Sequence, residues 1–173
     1  MQTSRSGILF IACREALVLT AYADGPHPSI GFGSNNPKLK VGDKITAKAA
    51  FDLLKDDIAK RESVLNKALK VPVTQQVWDA CMSLHFNTGS RYIWDVVKLI
   101  NAGDIEGAAN LFPECDRNLA GEQKTGLHKR RLLEQTMFRS GEYGALDPIP
   151  YWPGDPRTTR MQQYYVQEGD LDV

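Results

Sequence analysis

The sequence lacks an excess of charge of either sign. Its 173 residues include 21 Lys plus Arg and 21 Asp plus Glu, so the formal net charge is zero. A protein without net charge has no global field that would draw it to nucleic acid or to an anionic membrane. We therefore expect no nucleic-acid partner and no membrane partner. The length and a hydrophobic content of 42% suit a monomer with one buried core, which could be shared between two lobes.

Cysteine is scarce as well. The chain has Cys13, Cys81 and Cys115, an odd number with no CxxC spacing. Buried thiols are favoured over a disulfide or a metal site by this pattern. Of the three histidines, neither His85 nor His128 has a partner at metal-ligand spacing, so we expect no metal and no other cofactor. Reduced thiols favour synthesis and folding in a reducing compartment.

No apolar run is long enough to cross a membrane. The longest stretch near the N-terminus, residues 7–13, is followed at once by Arg14 and Glu15. No small-residue cleavage site precedes the pattern of the folded part, so a signal peptide is disfavoured. We expect a mature helix at this end, and any work outside the cytoplasm then requires a separate exit route.

The first third of the chain predicts a helix followed by a small sheet. Apolar residues recur at helical spacing up to about residue 17, which predicts an amphipathic helix with Glu15 near its end. Glycine and proline are then dense, and the segments "LTAYA", "SIGFG" and "KIT" predict a small antiparallel β-lobe over about residues 18–45. Such a small sheet needs helical support to be stable.

The rest of the chain is predicted to be mostly helical. One helix over about residues 46–69 would connect the β-lobe to a helical lobe over about residues 70–144, which the N-terminal helix would join. The resulting fold class is α+β, in two lobes within a domain over residues 1–144. The tail, residues 145–173, is rich in proline and tyrosine and predicts an extended strap packed on that domain.

Two carboxylates carry the chemistry that this sequence favours. Glu15 lies at the edge of an apolar stripe, where burial disfavours the ionised form and suits a general acid near neutral pH. Asp24 follows the first strand in "ADG", where a turn would leave the carboxylate ionised. A protonated and an ionised carboxyl across a cleft, roughly 6.5 to 9.5 Å apart, suit inverting glycoside hydrolysis. The alternatives remain open: a salt-bridged glutamate at the edge of the stripe, and an Asp-Gly turn without function.

The order of these residues resembles a known family. Glu15, an eight-residue gap, Asp24, the hydroxyl of Ser29 and "IGFG" are similar to the motif of the phage-type lysozymes of glycoside hydrolase family 24. Ser29 stands in place of the family's threonine, one position closer to the aspartate. Ser34 stands in place of the histidine that usually follows the glycines. Further matches in "MSLHFNTG", "LINAGDIEGAANLF" and "GLHKRRLLEQTMF" extend the resemblance over about residues 7–144, without the tail.

The resemblance implies a lysozyme-like fold with a cleft between the lobes, and hydrolysis of the β-1,4 bond of peptidoglycan. It implies that Glu15 protonates the leaving oxygen while Asp24 and Ser29 position a water. Serine keeps the hydroxyl but lacks the methyl that stiffens threonine, so a looser water site is expected. The implied biology is an endolysin that accumulates in the host cytoplasm, depends on a holin for release and reaches the periplasm and cell wall at lysis.

The resemblance also implies substrate contacts at Asn35, Phe86 and Asn110. Phe86 could instead be a core aromatic, and Asn110 a helix surface residue. Arg130 or Arg131 could pair with Glu15, or could form a solvated basic cluster on a helix. Two other activities remain open: a lytic transglycosylase, which needs no water-activating aspartate, and a non-catalytic wall-binding or virion module.

Overall fold

Helices dominate the structure, a computed structural model that describes residues 1–172. The helix predicted to end near residue 17 ends at Glu15, the helix predicted over about residues 46–69 spans Ala47–Ala68, and the mostly helical α+β class is confirmed. The elements in chain order are α1 (Arg5–Glu15), β1 (Leu17–Tyr22), β2 (Ser29–Gly31), β3 (Ser34–Asn35), α2 (Ala47–Ala68), α3 (Gln75–Thr88), α4 (Ile93–Asn101), α5 (Ile105–Leu111), α6 (Thr125–Ser140), β4 (Ile149–Trp152) and β5 (Gln162–Tyr164).

The chain divides into two compact units. The helical unit comprises residues 1–7 and 58–144, and the sheet unit comprises residues 8–57 and the chain from residue 145 onward. The boundary falls inside α1 and inside α2, so most of α1 belongs to the sheet unit. The tail from residue 145 belongs to the same unit as the sheet.

The sheet is mixed, with the strand order β3-β2-β1-β4-β5. β1 pairs antiparallel with β2 and parallel with β4, and β4 pairs antiparallel with β5. The tail therefore supplies two strands, and its parallel pairing with β1 departs from the purely antiparallel β-lobe that was predicted. The segment "KIT" forms only an isolated bridge, between Thr20 and Lys44.

The sequence pattern predicts that α1 is amphipathic, and this prediction is wrong. Residues 8–13 are all buried, so no polar face is left on this stretch. Leu9 and Phe10 lie off the predicted apolar stripe and supply apolar surface on the remaining sides. A helix that is apolar all round is buried all round.

A buried ion-pair cluster lies where α3 packs against α6 in the helical unit. Glu134 pairs with Arg130 and Arg131 at 3.0 Å each, and Ser83 donates a hydrogen bond to Glu134 over 2.6 Å. Arg131 and Glu134 are fully buried. The solvated basic cluster considered from the sequence is therefore wrong for these two arginines, because a carboxylate inside the same helix compensates their charge.

All three cysteine thiols are buried, as the sequence predicted. Burial raises the pKa of Cys115 to about 12 and raises the pKa of Cys81 still further. The Cys13 thiol donates to the carbonyl of Leu146, so it helps to hold the start of the tail against α1. Within residues 1–172, no helix has both the length and the apolarity of a membrane span.

Candidate active site

Glu15 is the last residue of α1, and the chain changes direction immediately after it. Ala16 has a φ of 62°, in the left-handed region, and its N–H still donates to Ala12 over 3.0 Å. This conformation costs a residue with a Cβ about 1 to 2 kcal/mol. It ends the helix and lets β1 begin at Leu17. The half-buried Glu15 carboxyl is thereby fixed at the junction of a helix and a strand.

Asp24 and Ser29 lie on either side of the turn between β1 and β2. The Ser29 hydroxyl donates to Asp24 Oδ2 over 2.7 Å. Ser29 is buried, with 2% of its surface exposed, whereas Asp24 is exposed. A hydroxyl bonded to a carboxylate is among the stronger hydrogen bonds in proteins. The shortened turn thus still joins the two side chains that the sequence singled out.

An irregularity in β1 adapts the strand to this turn. Val18 pairs with Gly31 and Tyr22 pairs with Ser29. Four residue steps on β1 are therefore matched by two steps on β2, which leaves two extra residues in β1. Extra residues on one strand bend it and increase its twist, and such bulges are frequent next to active sites.

Asn35 contacts the same hydroxyl from the other side. It pairs with Ser29 across β2 and β3, and its Nδ2 donates to the His27 carbonyl over 2.9 Å and to Ser29 Oγ at 3.5 Å. A carbonyl oxygen only accepts, so the NH₂ group of Asn35 faces the turn. With that donor on one side of the hydroxyl, the Ser29 hydrogen is left to point at Asp24.

Ser34 replaces the histidine of the motif and has a contact of its own. Its hydroxyl donates to Asp57 Oδ2, on α2, over 3.0 Å. The hydrogen bond ties the end of the "IGFG" segment to a helix of the same unit. The Ser34 hydroxyl is a neutral donor to the Asp57 carboxylate, whereas a protonated histidine at this position would bring a positive charge.

The other proposed substrate residues belong to the helical unit. Phe86 is half-buried rather than buried, and the Arg61 guanidinium lies 4.5 Å from its ring centre, so it is not a core aromatic. Asn110 is exposed on α5 and accepts a hydrogen bond from Arg139 over 2.8 Å. Both side chains lie at the surface, as substrate contact requires. The structure brings Asp24, Ser29 and Asn35 together, and it places Glu15 in the same unit.

Sequence reasoning missed two residues of the tail. The Arg157 guanidinium donates to the Ala23 carbonyl over 2.8 Å, directly beside Asp24, and Asp155 holds the same guanidinium. The local sequence "GDPRTT" carries no signal for such a contact. The aromatic residues of the tail predict that it packs on the domain, but they do not predict this contact.

The chain is similar in sequence to a protein family and to individual known proteins. The Phage lysozyme family model matches residues 12–134. The endolysin of Bacillus phage PZA is 38% identical over 175 residues, which cover 98% of this chain and 66% of that protein. The chain thus spans about two thirds of the PZA endolysin. The endolysin of Acyrthosiphon pisum secondary endosymbiont phage 1 is 35% identical over 81% of this chain and 99% of that protein.

A solved structure agrees in fold. The endolysin of Escherichia coli phage FAHEc1 superimposes with a TM-score of 0.77 at 34% identity, over 84% of this chain and 98% of that one. The matched family segment starts just before Glu15 and contains Asp24, Ser29 and the buried Glu134 cluster. The chain therefore belongs to the phage lysozyme family.

Proposed function

We infer that the protein is an endolysin with lysozyme activity, which hydrolyses the β-1,4 bond between N-acetylmuramic acid and N-acetylglucosamine in bacterial peptidoglycan. The observation that carries this inference is the hydrogen bond between Ser29 and Asp24, in the same unit as Glu15, in a member of the phage lysozyme family. An ionised carboxylate with a buried hydroxyl partner suits the activation of water. The endolysin names of the relatives support the same activity.

In the proposed mechanism, Glu15 is the general acid. It gives its proton to the glycosidic oxygen as the bond from that oxygen to the anomeric carbon of the muramic acid breaks. The departing sugar leaves with a hydroxyl group, and positive charge develops on the remaining ring. The left-handed turn at Ala16 directly after Glu15 supports this role, because it fixes the end of the helix that carries the acid.

Asp24 and Ser29 act on the water. Asp24 accepts a proton from the water as its oxygen bonds to the anomeric carbon, and the Ser29 hydroxyl holds Asp24 by donating to Oδ2. Because the buried Ser29 already orients the base, less entropy is lost when the water is aligned for attack. The products are a reducing muramic acid end and a free hydroxyl on the glucosamine.

Asn35, Phe86 and Asn110 are proposed to contact the glycan chain. The exposure of Asn110 and the partial exposure of Phe86 support this proposal. Aromatic faces and amides are suitable surfaces for sugar rings and acetamido groups.

The test is a product assay on purified peptidoglycan. The wild type is expected to release muropeptides with reducing muramic acid ends, which borohydride converts to the alcohol. Glu15→Gln and Asp24→Asn are expected to lose at least a hundredfold in rate. The matched controls Glu142→Gln and Asp56→Asn remove exposed carboxylates and should keep the wild-type rate.

The same assay separates the alternatives. Anhydromuramic acid in place of reducing ends would mean transglycosylation, and it would remove the role of Asp24. Equal clearing by the wild type and Glu15→Gln would refute the general acid. If a folded wild type released no product, a wall-binding or structural module would replace the enzyme.

We further propose that the endolysin accumulates as a monomer in the host cytoplasm and needs a holin to reach the wall. Three buried, unoxidised thiols support folding in a reducing compartment. Expression in a bacterial host with and without a holin tests this proposal. Lysis is expected only with the holin, and rapid lysis by the protein alone would contradict it. Light scattering of the purified protein measures its molecular mass and so tests whether it is a monomer.

A further inference from the structure

The tail places an ion pair beside the turn that carries Asp24. Asp155 and Arg157 belong to the segment after β4, which lies outside the residues matched by the family model. Arg157 Nη2 donates to the Ala23 carbonyl over 2.8 Å. The guanidinium also lies 5.9 Å from the ring centre of Tyr22. It thus contacts both residues that precede Asp24.

Asp155 fixes the guanidinium in this place. Arg157 Nε lies 2.9 Å from Asp155 Oδ1, and Nη2 lies 2.6 Å from Oδ2, so the pair is bidentate. These hydrogen bonds lower the pKa of Asp155 to about 2, so its carboxylate stays charged at ordinary pH. The backbone N–H groups of Thr158 and Thr159 both donate to the Asp155 carbonyl, which gives the segment a defined turn.

The segment is in turn attached to the strand that leads into the site. β4 pairs with β1 at Leu17 and Val18, and the Thr20 hydroxyl donates to the Pro153 carbonyl over 3.0 Å. From Glu15 to Asp24, the chain is thus held by the tail at three successive places. The last of these is the Arg157 contact at Ala23.

We propose that Arg157 is a positioning residue for hydrolysis: it holds the Ala23 carbonyl and so fixes the direction in which Asp24 points toward the attacking water. This inference rests on the proposed role of Asp24. Asp155, and to a smaller extent the charge of Asp24, raises the pKa of Arg157, so the guanidinium lies within electrostatic range of the Asp24 carboxylate. The tail thereby becomes part of the catalytic apparatus, which the family motif alone does not include.

If Arg157 only stabilised the fold, its removal would lower the melting temperature and leave kcat unchanged. The Arg157 side chain is 64% exposed, and exposed ion pairs contribute little to the free energy of unfolding. Removing it should therefore change the melting temperature by only about 2 °C. An effect of Arg157 on kcat without an effect on stability would identify positioning.

The experiment compares Arg157→Ala with Arg160→Ala, which removes an exposed arginine of the same tail. The rates of reducing-end release are measured on soluble peptidoglycan fragments over a range of concentrations. Arg157→Ala is expected to lower kcat about tenfold with KM within about twofold, because small displacements of a catalytic group are costly. Arg160→Ala should match the wild type, and Arg157→Lys should recover part of the loss.

A second variant keeps the test decisive if Arg157→Ala folds poorly. Asp155→Asn leaves the arginine in place but removes its bidentate partner, so it should lower kcat in the same direction. The double variant should lose no more than Arg157→Ala alone, because both act through one contact. Unchanged kcat in folded Arg157→Ala, or equal losses in Arg157→Ala and Arg160→Ala, would overturn the proposal.

Failure here is distinguishable from failure of the proposed function. If Asp24→Asn is inactive while Arg157→Ala has full kcat, only the positioning role is refuted. If Asp24→Asn keeps the wild-type rate, the assignment of Asp24 fails, and the role of Arg157 fails with it.

Discussion

Ser29 Oγ lies 2.7 Å from Asp24 Oδ2, across a turn that is one residue shorter than the family's spacing. The buried end of this pair is the hydroxyl and the exposed end is the carboxylate. The buried Ser29 hydroxyl thus orients Asp24 from the interior, while the carboxyl group of Asp24 faces solvent. The predictions below start from this pair and proceed to the residues around it.

Ser29→Ala should lower kcat by about ten- to a hundredfold. A hydrogen bond to a charged group contributes about 1.5 to 3 kcal/mol, and 1.4 kcal/mol corresponds to a tenfold change in rate. Ser29→Thr keeps the hydroxyl and stiffens its rotamer, so it should retain activity. The rate of reducing-end release and the melting temperature are measured together. Equal losses in both variants would show that packing, rather than the hydroxyl, matters at this buried position.

Asn35→Ala should lower kcat about threefold, because it removes a neutral donor to Ser29 and to the His27 carbonyl, and it should raise KM, because it removes the proposed contact with the glycan. Asn35→Asp should lower kcat further, since a carboxylate cannot donate and adds negative charge beside Asp24. Kinetics on soluble fragments check this. An unchanged kcat would contradict the role of the Ser29 hydrogen bond, and an unchanged KM would contradict the glycan contact.

Ala16→Gly should stabilise the protein by about 0.5 to 1 kcal/mol. Glycine avoids the cost of about 1 to 2 kcal/mol for a left-handed residue with a Cβ, and returns part of that gain as chain entropy. Ala12→Gly, inside α1, is the matched control and should destabilise by about 1 kcal/mol. Urea unfolding measures both variants. The same sign for the two substitutions would contradict the left-handed turn after Glu15.

Glu134→Gln should destabilise the protein by about 3 to 5 kcal/mol, because it leaves the buried charges of Arg130 and Arg131 without their carboxylate. Glu106→Gln breaks an exposed pair with Arg139 and should cost less than about 1 kcal/mol. Denaturant unfolding gives both values. Similar small losses would mean that the Glu134 cluster is hydrated in solution.

The stabilisation provided by Asp116 should depend on pH. Hydrogen bonds from Gln123 and then from His128 lower the pKa of Asp116 below that of an unfolded aspartate, about 3.9. A lowered pKa stabilises the fold above about pH 4, and this contribution is lost as the pH falls through the folded-state pKa. The melting temperature of Asp116→Asn should therefore fall below that of the wild type at pH 6, and the difference should shrink below pH 4. An equal difference in melting temperature at pH 6 and below pH 4 would show that the lowered pKa of Asp116 is not the cause. The control is Asp56→Asn, on the exposed face of α2.

The helices were predictable because their signals are local. The apolar repeat predicted the long helix α2 to within one residue at each end. The order of Glu15, Asp24 and Ser29 also lies within fifteen residues of sequence. A motif of this length can be recognised without knowledge of the fold.

The sequence by itself thus determined the helices and the family, and it predicts the reacting groups. Only the tertiary structure decided which distant groups meet: the parallel pairing of the tail with β1, the Arg157 contact at Ala23, the approach of Asn35 to Ser29 and the burial of Arg130 and Arg131 with Glu134. Periodicity reports which face of an element is apolar, but it does not report which distant strand or charge will meet that face. Residues 23 and 157 are neighbours only because β4 pairs with β1, and no local pattern encodes that pairing.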